Sequence, residues 1–314
     1  MSNILASRPP VFSLVLATLG TGHRLVRFMD SLVQQTGSFQ LILVDQNSGA
    51  ELDEIVARYR SDIEIVHIRC RPGLSLARNA GIRYIRGRII AFPDDDCWYP
   101  RGLLAAVECR LADPRIDGLT CRCTDADGRL AAGGDDRSSG ILTKANVWRR
   151  GVSATMFLKR ELVDEIGGFD TTLGLGSTTV FQSGEETDYL LRAIAREATI
   201  LYDPSLRVHH PCPPPSGAAG ALYKSWSYAL GMGNVLRKHD YRPASVLKHL
   251  AIPFIGALCA LLRGDLALAK LRLVRTLGRW RGWRWLPGQD VDILVAPSFV
   301  RRPDIKQRSL SGAL

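Results

Sequence analysis

The sequence predicts an α/β protein: a mostly parallel sheet covered by helices, followed by a basic helical extension. Three observations carry this. Apolar runs of strand length alternate with stretches of helix length as far as residue 93. Those runs are nearly continuous in Val, Ile and Leu, as strands buried on both faces require. The charge divides the chain: residues 1–214 hold 25 Lys+Arg against 26 Asp+Glu, and residues 215–314 hold 16 against 5. The expected division is therefore a nearly neutral body over 1–214, in two halves at about 11–97 and about 98–214, and a basic amphipathic extension over 215–314.

Taken in order, "VFSLVLA" (11–17) reads as a first strand, since it is rich in strand formers and lacks the small-residue cleavage site of a signal peptide. A helix follows over 22–35, then the strand "FQLILVD" (39–45), a helix over 51–60 and the strand "IEIVHI" (63–68). A helix over 74–84 and the strand "RIIAF" (88–92) complete the alternation. Residues 121–150, rich in Gly, Asp and Ser, predict a hairpin with a connection able to close over substrate. In open sheets of this kind, ligands bind beyond the carboxyl ends of the strands. Thr18, Asp45 and the run Asp94–Asp96 all lie at such ends.

That run, in "IIAFPDDDCWYP" (89–100), sets like charges side by side at a strand end. A polar turn explains it, since Asp and Pro are common there; so does a cation. Residues two apart on an extended chain point the same way, so Asp94 and Asp96 would aim together with Asp95 turned aside. Hard carboxylate oxygens suit Mg²⁺ or Mn²⁺, which take one or two protein carboxylates and complete their shell with phosphate oxygens and water. The twelve-residue ligand pattern of an EF-hand is absent.

The acidic run has company. "LILVDQNS" (41–48), "GLSLARNAGI" (73–82), the acidic triplet with its following aromatic and proline, "EIGGFD" (165–170) and "GEETDYLLR" (184–192) occur in this order. Together they resemble the inverting nucleotide-sugar glycosyltransferases of family 2, which have the Rossmann-like GT-A fold. The resemblance covers about residues 11–212. It implies that Thr18 and Asp45 contact the nucleotide base, and that Arg78 lies near the base or diphosphate, unless it sits on an exposed helix face. It implies donor binding by Asp94 and Asp95, with Asp94 near the ribose or sharing the metal that Asp96 binds. The family's usual Gly-Glu-Asp ends in the catalytic base. Here the stretch is Gly184-Glu185-Glu186, which keeps a carboxylate at the base position and leaves Glu185 as the alternative to Glu186. Asp188 reads as a first-turn helix residue favoured by the dipole. In "RVHHPCPPP" (207–215), His210 or His209 completes the metal shell, or the pair is a loop before prolines. Trp98 stacks on an acceptor sugar or packs under the acidic loop; Asp170 touches a sugar hydroxyl or closes an Asx turn.

Such a site implies Mg²⁺ or Mn²⁺ as cofactor, a nucleotide-sugar donor (a UDP-sugar by family expectation) and a glycan or lipid-linked acceptor. A carboxylate can take the acceptor hydroxyl's proton as the new C–O bond forms, and attack opposite the diphosphate inverts the anomeric carbon. Two further classes stay in view: a sugar-nucleotide-binding protein without transfer activity, and a basic nucleic-acid-binding protein. No nucleic acid is expected as partner, since no helix-turn-helix, zinc finger or ribonucleoprotein signature appears. A nucleotidyltransferase would need a Gly-rich basic phosphate loop that "ATLGTGHR" does not supply.

The seven cysteines, without a C-x-x-C, point to free thiols and a cytoplasmic protein. In the extension, "HLAIPFIGALCALL" (249–262) reads as too short to span a bilayer, and its Pro253 suits a kinked or shallow helix. Over the next helix, Leu266, Ala269, Leu273, Leu277 and Trp280 would share a face opposite Arg272, Arg275 and Arg279, with Trp283 and Trp285 at the end. This fits a helix lying on an anionic membrane surface, peripheral at the inner face of the cytoplasmic membrane, or one packed on the body.

Overall fold

The computed structural model describes residues 9–20, 22–212, 220–286, 296–297 and 300. Most of the proline run expected to open the extension (residues 213–215) lies outside them, as does nearly all of the chain beyond 286. The chain divides into two compact units, Met1–Thr171 with Glu185–Pro213, and Thr172–Gly184 with Pro214–Leu314.

The first unit carries a nine-stranded sheet. Its leading half alternates as the sequence predicts: β1 (Phe12–Thr18), α1 (His23–Val33), β2 (Phe39–Asp45), α2 (Asp53–Tyr59), β3 (Glu64–Arg69), α3 (Leu74–Ile82) and β4 (Ile89–Ala91). β1 is buried at every position and β2 at all but its first, the burial that an unbroken apolar run demands. β1 pairs in parallel with β2 and β4, and β2 with β3. The register sets Thr18 beside Asp45 and Asp45 beside Arg69, so one rim collects these three side chains. α3 lies close on the sheet: a Cβ at Gly81 would stand 2.5 Å from Val15 Cγ1 and 3.0 Å from Val44 Cγ2, which only glycine avoids.

The second half departs from parallel pairing. After α4 (Leu103–Leu111) come β5 (Gly118–Thr124), β6 (Leu130–Ala132) and β7 (Gly140–Ile141). Next are α5 (Val147–Arg150), a 3₁₀ turn over Ser153–Thr155, β8 (Phe157–Lys159), α6 (Arg160–Ile166), α7 (Glu185–Ile194) and β9 (Ile200–His209). The strand order is β3-β2-β1-β4-β8-β5-β9-β7, with β6 on β5. β8 runs antiparallel to β4 and β5, which makes the sheet mixed. The expected hairpin is β5–β6, joined across Cys123 and Ala132. All seven cysteines are free.

The second unit holds α8 (Ala221–Lys238), α9 (Pro243–Leu262) and α10 (Leu266–Arg284). Two expectations are corrected here. α9 begins six residues before 249, because Pro243 occupies the first helical turn, where its missing N–H costs nothing. The helix is therefore 20 residues, runs through Pro253, and is long and apolar enough to cross a membrane by length and composition. α10 does not present arginines opposite a leucine face. Arg272 donates to the carbonyl of Gly256, Arg275 to Ser225 Oγ and Arg279 to the carbonyl of His249, while Leu266, Leu273 and Trp280 stay exposed. The packed stripe is Leu271, Val274, Gly278 and Gly282, with Gly282 so close to the Leu230 carbonyl that no Cβ fits.

Candidate functional site

The acidic run lies beyond the end of β4 as a tight turn, closed by the Cys97 N–H donating to the Asp94 carbonyl at 3.2 Å. In a turn, the two-residue alternation of a strand no longer applies. The three carboxylates diverge instead of Asp94 and Asp96 aiming together. Asp94 accepts from Arg78 at 3.2 Å and lies 3.3 Å from Ser153 Oγ. Asp95 accepts from Thr18 Oγ1 at 2.6 Å. Asp96 faces His210 Nε2 at 2.9 Å and Arg24 at 3.5 Å. The like charges are thus tolerated because three basic side chains and two hydroxyls are distributed among them.

Two local devices bring distant residues to this turn. Trp98 and His209 form an antiparallel bridge through both backbone N–H groups, which seats His210 beside Asp96. Of the two candidate histidines, His210 is the one at the acidic turn; His209 stacks on Trp98 and bonds the Asp125 carbonyl through Nδ1. The second device is Arg78. It is 1% exposed, so the exposed-face alternative does not hold, and its guanidinium also meets Glu185 Oε1 at 3.2 Å. One side chain therefore ties α3, the acidic turn and the first residue of α7. Asn79 makes a further tie by accepting from the Phe169 N–H at 2.6 Å and donating to the Phe169 carbonyl at 2.9 Å. This clamp holds the Gly-Gly-Phe-Asp turn against α3; Asp170 follows it, partly buried.

Burial pushes the Asp94 carboxyl up, with Arg78 and His210 pulling the other way. Burial likewise raises Asp95, against the Thr18 hydrogen bond. At Asp96 burial raises too, but the bond and charge of His210 and the charge of Arg24 outweigh it, and the group lies below its usual value. His210 is the mirror: burial lowers it, and the bond and charge of Asp96 carry it above the ordinary histidine range. Glu186 is pushed up to about 8, first by burial and then by the neighbouring Glu185 carboxylate. Asp188 is fully buried and paired to Arg192 at 3.0 Å, a helix-stabilising role as expected.

Asp45 is fully buried at the β2 end. Its Oδ1 accepts from the N–H and Nδ2 of Asn47, and its Oδ2 lies 3.2 Å from His67 Nε2 and 3.9 Å from Arg69. Sequence reasoning missed His67, Arg69, Ser153 and Arg24. The first two had a signal, being polar positions two apart at the end of an apolar strand; Ser153 and Arg24 had none. At Trp98 the Arg27 guanidinium sits 3.2 Å from the ring centroid and His209 stacks on the indole, which stays partly exposed.

Among the described residues, no group of three or more His, Cys, Asp or Glu side chains could hold a metal ion. Asp96 and His210 offer an oxygen and an imidazole nitrogen side by side. That pair fits a divalent ion whose remaining positions are filled by substrate phosphates and water.

Residues 13–157 match the family described as Glycosyl transferase family 2. The chain is 24% identical over 184 residues to glycosyltransferase AglE of Haloferax volcanii, covering 54% of this chain and 59% of that one. It is 28% identical over 116 residues to the uncharacterized glycosyltransferase EpsJ of Bacillus subtilis, covering 36% and 33%. It thus spans less than two thirds of either relative's length. Two solved structures share its fold. The mannosyltransferase PcManGT from Pyrobaculum calidifontis, in complex with GDP-Man and Mn²⁺, superposes with a TM-score of 0.58 at 16% identity, over 87% of this chain and 88% of that one. S. aureus TarS 1-349, in complex with UDP-GlcNAc, gives 0.55 at 13% identity, over 83% and 90%. The match to Glycosyl transferase family 2 thus covers residues 13–157, less than half of the chain, and the sheet and helices share the GT-A fold of the two solved structures.

Proposed function

We propose that this chain is an inverting, metal-dependent glycosyltransferase that moves a sugar from a nucleoside-diphosphate sugar to an acceptor hydroxyl. The observation that carries the reading is the Arg78 bridge, which joins Asp94 of the acidic turn to Glu185 of α7, 107 residues along the chain from Arg78. Donor-side and base-side carboxylates thereby share one rim. The donor complexes of the two structural neighbours, with UDP-GlcNAc and with GDP-Man, support a nucleotide sugar here.

The assignment of roles follows from the charges. Glu185 is held as the counter-ion of Arg78, so it orients the helix start. Glu186 is the carboxyl next to it whose environment raises it to about 8, near the working range of a general base. As the acceptor oxygen bonds to the anomeric carbon, its proton passes to the Glu186 carboxylate. The bond from that carbon to the phosphate oxygen breaks, and its electron pair stays with the diphosphate. One base suffices, and the anomeric centre inverts. Thr18, Asp45 and Asp95 line the nucleotide side. Asp96 and His210, with Asp94 alongside, would hold Mg²⁺ or Mn²⁺, which when bound stabilises the leaving diphosphate as a Lewis acid. UDP-sugars are the first donors to try, and a glycan or lipid-linked acceptor at the inner face of the cytoplasmic membrane suits the basic second unit.

Thermal shift with nucleoside diphosphates and their sugars, with and without Mn²⁺, tests the donor claim; stabilisation that needs both is expected. Glu186→Gln is expected to keep that shift and lose transfer by about 10²-fold or more. Near-normal turnover in the variant rejects the base assignment.

A further inference from the structure

We propose that α9 lies flat in the interface of an anionic lipid bilayer, with its outward half immersed, and does not cross the membrane. This deepens the membrane-associated reading above and rests on it for location only. α9 buries Val246, Pro253, Ala257 and Ala260 on one side. The opposite half-cylinder carries Leu247, Ile252, Phe254, Ile255, Leu258 and Leu262, each 46–89% exposed. Lys248 is the one charged residue between Pro243 and Leu262. An apolar face of this extent, left open to water, marks an interaction surface.

Charge selects the occupant. Residues 220–286 carry twelve Lys or Arg and two Asp. Arg242 and Arg263 flank α9 at its ends and are exposed, as are Lys248 on its surface and Lys270 on α10. A second copy of this chain would meet this rim with the same positive charge and be repelled, whereas anionic headgroups complement it. Long basic side chains at such a rim also reach headgroups while their stems stay on the apolar surface.

Length and composition alone would let α9 span. Its partner helix decides against that. Arg272 donates to the Gly256 carbonyl near the middle of α9 at 2.8 Å, and Arg279 to the His249 carbonyl at 2.6 Å. If α9 crossed the bilayer, α10 would be carried into the hydrocarbon with these arginines. Each arginine at the bilayer centre disfavours insertion by roughly a hundredfold. Lying flat, α9 sinks by ~5–10 Å and leaves α10 on the water side.

The test uses the full chain and flotation with vesicles of phosphatidylcholine, alone or mixed with phosphatidylglycerol. Flotation with the anionic vesicles is expected, weakened by salt. Ile255→Asp with Leu258→Asp should cut partitioning at least about tenfold, as should Lys248→Glu with Arg263→Glu. All four positions are exposed, so unchanged melting verifies folding, and an unchanged nucleotide-induced shift keeps the outcome separate from the enzymatic reading. Cys259, exposed on the same face, can be labelled with a fluorophore once Cys70, Cys109 and Cys212 are changed to Ser. Quenching by lipids brominated near the headgroup, more than by those brominated at the chain ends, is expected. Deeper quenching, or resistance to alkaline extraction, means that α9 spans and overturns the proposal. So does absence of flotation, whether light scattering shows a dimer dissolved by the Asp variant or deletion of 287–314 uncovers binding that the full chain lacks.

Discussion

Arg78 carries more of the candidate site than any other single residue. With 1% of its surface exposed, it neutralises two carboxylates that otherwise face each other across a buried rim. Removing one partner of a buried ion cluster strands the others, at about 3–5 kcal/mol. Arg78→Met is therefore expected to lower the unfolding free energy, measured by denaturant titration, by about that amount and to abolish donor binding. Arg78→Lys, which keeps the charge but not the fork, should recover part of the stability; a Met variant as stable as the parent rejects the bridge. Glu186 gives a pH signature. Its folded value of about 8 stands above the ordinary 4.5, so folding favours the protonated form. That contribution is full below 4.5 and is lost as pH rises towards 8. Glu186→Gln should melt with the parent in acid and above it at about pH 9. Equal melting at both ends would mean that the carboxyl is not held in a buried, like-charged setting.

At the scale of elements, the leading strands were legible because each is a short, mainly apolar run rich in Val, Ile and Leu between polar turns. β2 matches its expected bounds, and β1 and β3 differ by a residue at each end. α9 was misread, since hydropathy marks where apolar residues begin and not where a proline-initiated helix begins. The face of α10 was misread because periodicity pairs leucines with leucines; it does not reveal that Arg272, Arg275 and Arg279 reach carbonyl and hydroxyl groups on α8 and α9. The site was legible as motifs and illegible as contacts. Asp94, Asp95 and Asp96 could be named from the sequence, but their divergence comes from turn geometry and from partners up to 114 residues away, such as His210. Nor does an aromatic beside an acidic run reveal the arginine that lies over the Trp98 ring.

On the scale of the chain, the division into units does not follow the sequence. Residues 172–184 group with the helical unit although the acidic turn and Glu185–Glu186 bracket them in the sequence. Ser183 Oγ donates to the Tyr228 carbonyl of α8 at 2.9 Å, and the Phe181 ring packs edge-on to Trp285 at 5.1 Å. A chain ending at residue 213 would keep this segment and lose what it packs on. Such a truncation is expected to melt several degrees below the full chain or to aggregate, even with the sheet intact. Equal melting temperatures in calorimetry would show that 172–184 needs no such support.

The Arg78 bridge also sets an order for biosynthesis. While the polypeptide emerges, α3 and the acidic turn leave the ribosome about a hundred residues before Glu185 does. Until then the guanidinium has one counter-ion in place of two. The acidic rim is therefore among the last parts of the sheet unit to become complete, and any nascent fragment stopped short of α7 holds a leading half whose central cation is still waiting for its second anion.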